Sequence, residues 1–149
     1  MNRITPLLRI LLGLAFLTFG LNYFAPFLPT PSAVHPPEAL AFLGAMVTSG
    51  LLGFVKGIEI VAGLALLANR AVPLALALLA PILVGINYFH LALDPSGSLP
   101  GLVLLAIELV LAWSYRGAFA PMLRARVTPD PVLPGTQPAP LAASARAAG

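Results

Sequence analysis

The chain has 149 residues, of which 59% are hydrophobic and 9% charged, with a net charge of +3, a pI near 10.0 and a mean hydropathy of +0.96. Soluble domains carry about 25% charged residues, so the composition excludes an ordinary soluble fold, and the length allows one domain. With no cysteine there is no disulfide, no thiolate nucleophile and no cysteine-built zinc or iron–sulfur centre.

Four stretches are long enough to cross a bilayer, which takes about 20 apolar residues. The first runs from about Leu7 to Leu28 and ends in Pro29, Pro31, Pro36 and Pro37. Arg3 and Arg9 at its start resemble a signal-peptide n-region. The apolar run exceeds the usual 7–15 residues and lacks a small-x-small cleavage site, so it reads as a retained span. Glu38–Ser49 is apolar but too short to cross, and is predicted to be an interfacial or partly re-entrant helix. The second span is Gly50–Ala68, followed by a tight turn at Asn69-Arg70. The third is Pro73–Leu93, with Pro81 inside it as a predicted kink. Asp94-Pro95-Ser96-Gly97 separates it from the fourth, Leu99–Tyr115. The predicted fold is all-α: a four-transmembrane-helix bundle over residues 1–123, then a Pro/Ala-rich tail over 124–149 expected to be disordered.

Basic residues set the expected topology. Arg3, Arg9, Arg70, Arg116, Arg124, Arg126 and Arg146 fall on one side, whereas Pro29–Ser49 and Asp94–Ser98 contain no Lys or Arg. The positive-inside rule then places both termini in the cytoplasm. The high pI is topological, and nothing supplies the basic, aromatic-bearing surface that nucleic acid requires.

Polar residues inside the spans are the candidate site. A charge at bilayer depth costs roughly 2.5–3.5 kcal/mol on insertion scales, so charges kept there have partners or a task. Lys56 and Glu59 lie one helical turn apart in the second span. At 1.5 Å per residue, Asn22, Lys56 and Asn87 lie about 9 Å below the outer end, Glu59 about 13 Å, His90 nearer the surface and Glu108 near the midplane. Their faces also carry small residues: Thr18 with Asn22; Gly53, Gly57 and Gly63 with Lys56 and Glu59; Ala80 with Asn87 and His90; Gly101 and Ala112 with Glu108. The expectation is one polar pocket in the outer half of the bilayer. Gly53-x-x-x-Gly57 matches GxxxG, a weak signal in a chain this rich in small residues.

The chemistry of these residues stays open. Lys56–Glu59 reads as a structural ion pair, as a site for a polar ligand, proton or head group, or as a partner contact. Glu108 has no cation in its own helix and must borrow Lys56, accept hydrogen bonds or carry a proton. His90 is a wall residue or a functional one. Trp113 and Tyr115 suit the cytoplasmic interface belt, Tyr23 and Tyr88 the opposite one, and His35 receives no role. A bis-histidine haem needs two ligands at one depth, and only His90 lies in a span. No metal spacing, P-loop, dinucleotide fingerprint or nucleophile elbow is present, and no residue is marked as catalytic.

Four stretches carry a family resemblance: LLRILLGLAFLTFGLNYFAPFLPTP, SGLLGFVKGIEIVAGLALLANRAVPLALALLAPI, YFHLALDPSG and AIELVLAWSYRGAFAPML. Their discriminating parts are Phe19-Gly20-Leu21-Asn22, Lys56-x-x-Glu59, Arg70-x-Val72-Pro73 and Phe89-His90. The chain resembles the DoxX family of small bacterial four-helix membrane proteins over roughly Arg3–Leu123. It departs in the third helix, where the family's polar residue falls nearer position 85, here Gly85, and the asparagine is Asn87. Related proteins include the small membrane subunit of a thiosulfate–quinone oxidoreductase and members linked to oxidative-stress and thiol-redox partners. The resemblance implies an inner-membrane subunit of a redox system, without an intrinsic cofactor, in contact with a redox partner protein or with quinone. A small-solute or proton-coupled transporter, which would need a homo-oligomer, and a structural or assembly protein are the alternatives.

Overall fold

The computed structural model describes residues 3–29 and 35–126; Pro31 and the tail from residue 127 lie outside them. The described residues form six α-helices and no β-strand.

Helix α1 (Ile4–Phe24) stops four residues before the expected boundary. The cause is Pro26, which disfavours helical geometry at the residue before it; Ala25 leaves the helix at φ −134°, ψ 87°. Helix α2 (Pro37–Thr48) starts with Pro37 in its first turn and Glu38 at the positive end of the helix dipole. Only Ala39 on it is buried. The chain then bends by 79° into α3 (Leu51–Leu67) through Gly50, whose φ of +77° lies in the left-handed region that glycine adopts without cost.

Helix α3 ends in a Schellman-type cap: the Arg70 N–H donates to the Ala65 carbonyl and the Asn69 N–H to the Leu66 carbonyl. Asn69 (φ 55°) and Ala71 (φ 49°) take left-handed geometry, which reverses the chain into α4 (Val72–Ala92). Helix α4 continues through Pro81 as one element. A short 3₁₀ turn (Pro95–Gly97) leads into α5 (Ser98–Ser114), and α6 (Arg116–Phe119) with a 3₁₀ turn (Ala120–Leu123) closes the described chain.

Helices α1, α3, α4 and α5 pack side by side, with neighbours antiparallel. One end of the bundle, the turn end, carries the start of α1, the α3–α4 turn and α6. The other, the loop end, carries α2 and the α4–α5 connection. Leu12, Phe16, Ala62, Leu66, Leu76, Leu79, Leu83 and Leu111 fill the core. Large apolar side chains such as Phe19, Phe54, Val61, Leu74, Val84 and Leu109 face outward. An exposed apolar surface of this extent is what a lipid environment stabilises.

Helix α1, helix α4 and the Pro95–Ser114 segment are each long and apolar enough to span a membrane, and the bent pair α2–α3 is a fourth candidate. The protein is a multi-pass membrane protein by helix length and hydropathy.

The tightest contact is between α1 and α3. A Cβ at Gly13 would stand 3.0 Å from the Gly63 carbonyl oxygen, and one at Gly63 only 2.9 Å from that of Gly13. A Cβ at Gly20 would meet Ile60 Cγ1 at 2.7 Å. Bare backbones touch here, the packing mode that membrane helices use where no hydrophobic force drives them together. The GxxxG glycines behave differently: Gly53 faces Tyr23 at ordinary distance and Gly57 faces open space.

Candidate functional site

Helix α3 places Lys56 and Glu59 on one face. Lys56 Nζ donates to Glu59 Oε1 at 3.0 Å and Oε2 at 2.8 Å. Both carboxylate oxygens therefore have the same cation as partner. Glu59 is 1% exposed, whereas the Lys56 side chain keeps 20% of its surface. The pair is a closed ion pair with an open cationic side.

Asn22 is occupied elsewhere. With α1 ending at Phe24, its Oδ1 accepts the backbone N–H groups of Phe27 (2.9 Å) and Leu28 (2.8 Å). It satisfies donors that Pro26 and the helix end leave free. Asn87, buried on α4, donates from Nδ2 to the Leu83 carbonyl at 2.8 Å and across to the Gly101 carbonyl of α5 at 3.0 Å. It ties α4 to α5, while its Oδ1 has no partner.

His90 belongs to a cluster around Asp94 at the loop end. Its Nδ1 donates to the Asp94 carbonyl at 3.0 Å, and Gly97 packs directly against its ring. The Asp94 side chain accepts Ser96 Oγ–H (2.6 Å) and N–H (3.3 Å) on Oδ1, and His35 Nδ1–H (2.6 Å) on Oδ2. These bonds, Ser96 first and His35 second, hold the Asp94 carboxyl below its ordinary value of 3.8. Sequence reasoning left His35 without a role; its only sequence signal was a place among the loops of the same side as Asp94.

Glu108 stands apart from the rest. It lies six residues before the end of α5, about 9 Å from the turn end, rather than in the half occupied by Asn87 and His90. It is 3% exposed, and its Oε2 has no hydrogen-bond partner.

The hydrogen bonds thus divide the six expected residues into separate arrangements: the α3 ion pair, the Asn22 cap, the Asn87 tie, the Asp94 cluster with His90, and the solitary Glu108. Among the described residues, no hydrogen bond joins one of these arrangements to another. Each of Asn22, Asn87 and His90 instead takes a backbone partner, at the end of α1, on Leu83 and Gly101, and in the α4–α5 connection; Gly101 has no side chain to keep Asn87 away. Two cavities open on the helix surfaces. The larger, about 370 Å³, is walled by the apolar side of α3 and by Leu78. The smaller, about 160 Å³, has Glu108 in its wall. Among the described residues, no group of three or more His, Asp or Glu is placed to hold a metal ion.

Arg9, read above as an n-region and topology signal, is buried on α1 and donates from its guanidinium to the Leu66 carbonyl and, at 3.4 Å, to that of Leu67. It caps the last carbonyls of α3, where a cation also meets the negative end of the helix dipole. Its legible signal was its position on the Leu12–Phe16–Gly20 face of α1. Arg116 stacks over Trp113 at 5.2 Å and donates to its carbonyl, making an aromatic–cation anchor at the same end. Compared with family models, curated proteins and solved structures, the chain finds no match in any of the three.

Proposed function

We propose that this chain is a non-catalytic inner-membrane subunit of a quinone- or thiol-linked redox system, of the DoxX type it resembles in sequence. Its termini lie in the cytoplasm, and α3 crosses the bilayer as the fourth span. The observation that carries the reading is the Lys56–Glu59 pair. Charges persist within an apolar helix at a steep insertion cost, and the exposed flank of Lys56 leaves a cation able to meet a lipid-soluble carbonyl compound such as quinone, or a partner protein. The test is mass spectrometry of the protein and lipid that co-purify with the full chain from native membranes in mild detergent. A stoichiometric quinone or an oxidoreductase partner is the expected result. Bulk phospholipid alone contradicts it.

One observation favours a second reading, a structural or assembly protein. Glu59 has both oxygens satisfied by Lys56 alone, as an inert staple would. Under that reading, replacing both residues by apolar ones preserves function.

A further inference from the structure

Charge is segregated along the bundle. Every arginine among the described residues lies at the turn end: Arg3 before α1, Arg9 in its second turn, Arg70 in the α3–α4 turn, and Arg116, Arg124 and Arg126 after α5. The carboxylates stand elsewhere, Glu38 and Asp94 at the loop end, Glu59 and Glu108 within helices. Apart from buried Arg9, these arginines are exposed, and none pairs with a carboxylate among the described residues. Arg116 is the one held in a fixed place. Its guanidinium lies over the Trp113 ring at 5.2 Å and spends one donor on the Trp113 carbonyl, which leaves most of a five-donor fork free. Trp113 is 72% exposed and shares a face of α5 with exposed Leu109 and Val110, three and four residues before it. An apolar, lipid-facing stripe therefore runs up α5 and ends at a tryptophan with a guanidinium on it. Beyond α5, Phe119 packs back on the core while Met122 and Leu123 are exposed beside Arg124 and Arg126. Apolar and cationic side chains interleaved in this way suit the headgroup boundary of a bilayer.

We propose that Arg116, held on Trp113, binds the phosphate of an anionic phospholipid whose acyl chain lies along the Leu109–Val110–Trp113 face of α5. Guanidinium matches phosphate in shape and charge. The unpaired arginines around it favour a headgroup with net negative charge. A zwitterionic headgroup brings an ammonium as well, and no carboxylate among the described residues stands at this end to receive it. An acidic protein partner would use the same cations but has no need of the exposed stripe that leads to them. The site rests on the membrane-spanning character of α5, and stands whether or not the chain serves a redox system.

Trp113 is the single tryptophan of the chain, so its fluorescence reports the lipid at this one place. The full chain is reconstituted in phosphatidylcholine vesicles containing a minor fraction of phosphatidylglycerol or, separately, phosphatidylcholine, brominated near the top of the acyl chain. Quenching of Trp113 as that fraction rises gives the relative affinity of the two lipids. The anionic lipid is expected to bind about fivefold more tightly, the ratio that one arginine near an anionic surface supports. High salt lowers the preference. Arg116→Gln brings the ratio toward one, and Arg116→Lys, which keeps the charge, retains most of it. Because both lipids are compared within each variant, a change in Trp113 emission itself cancels. Equal quenching by the two lipids in the unmodified chain overturns the proposal and returns the surface to an acidic protein partner. Absence of quenching by either lipid, or a preference that Arg116→Gln leaves unchanged, overturns it too.

Discussion

At the scale of single residues, the chain treats the two carboxyl groups inside its long apolar helices in two ways. Lys56 and Glu59 satisfy each other, whereas Glu108 has nothing within the described chain to satisfy it. Removing one member of a buried pair strands the other, so Lys56→Met or Glu59→Gln is expected to destabilise by about 3 kcal/mol, the low end of the range because Lys56 is partly open. Joint replacement by Met and Leu restores most of that loss. Thermal unfolding of the four proteins in one detergent measures the cycle; additive losses contradict a coupled pair. Asp94 gives a pH prediction. Its carboxyl titrates lower in the folded chain than in the unfolded one, so its hydrogen bonds add stability that is complete above about pH 4. That stability is lost as pH falls through the folded-state value. The difference in melting temperature between the wild type and Asp94→Asn is expected to shrink on acidification from pH 6 to pH 3; a difference that stays constant contradicts the assignment.

At the scale of elements, the α1–α3 contact is the most constrained part of the bundle. Gly63→Leu drives a side chain into the Gly13 carbonyl and the Leu17 backbone, at an overpacking cost of about 1–3 kcal/mol or more. Gly57→Ala, which meets nothing within 4 Å, is expected to leave stability unchanged or raised. Detergent melting curves separate the two, and equal losses would contradict the packing. The four long helices were legible in sequence to within a few residues, because long apolar runs bounded by Asn69-Arg70 and Asp94-Pro95 admit few other structures. The early stop of α1 was missed because Pro26 was read past in favour of the later prolines. The helix contact was missed because GxxxG is a pattern of spacing, whereas Gly13, Gly20 and Gly63 meet across two helices and share no local motif. The site was less legible still. Depth along a helix was readable at 1.5 Å per residue, but Asn22, Asn87 and His90 each find a nearby backbone partner that no sequence interval announces.

At the scale of the whole molecule, the central claim is a bundle crossing the membrane four times, with α3 as a crossing that carries the ion pair. Helix α3 has 17 residues, about 25 Å, against a hydrocarbon core of about 30 Å. It is the span most in need of proof, since the bend at Gly50 also allows α2–α3 to be read as one broken element. Arg9 on the α3 carbonyls and the Arg116–Trp113 anchor put cations at the turn end, in keeping with the proposed cytoplasmic side. The natural absence of cysteine makes the direct measurement clean. Single cysteines replace Arg3, Glu38, Asn69, Ser96 and Arg116 in turn, and each chain is labelled in sealed, oriented inner-membrane vesicles with a membrane-impermeant maleimide. The account predicts that Arg3→Cys, Asn69→Cys and Arg116→Cys react from the cytoplasmic face, and Glu38→Cys and Ser96→Cys only from the opposite face. Labelling of Glu38→Cys and Asn69→Cys from the same face would contradict it, because α3 would then not cross.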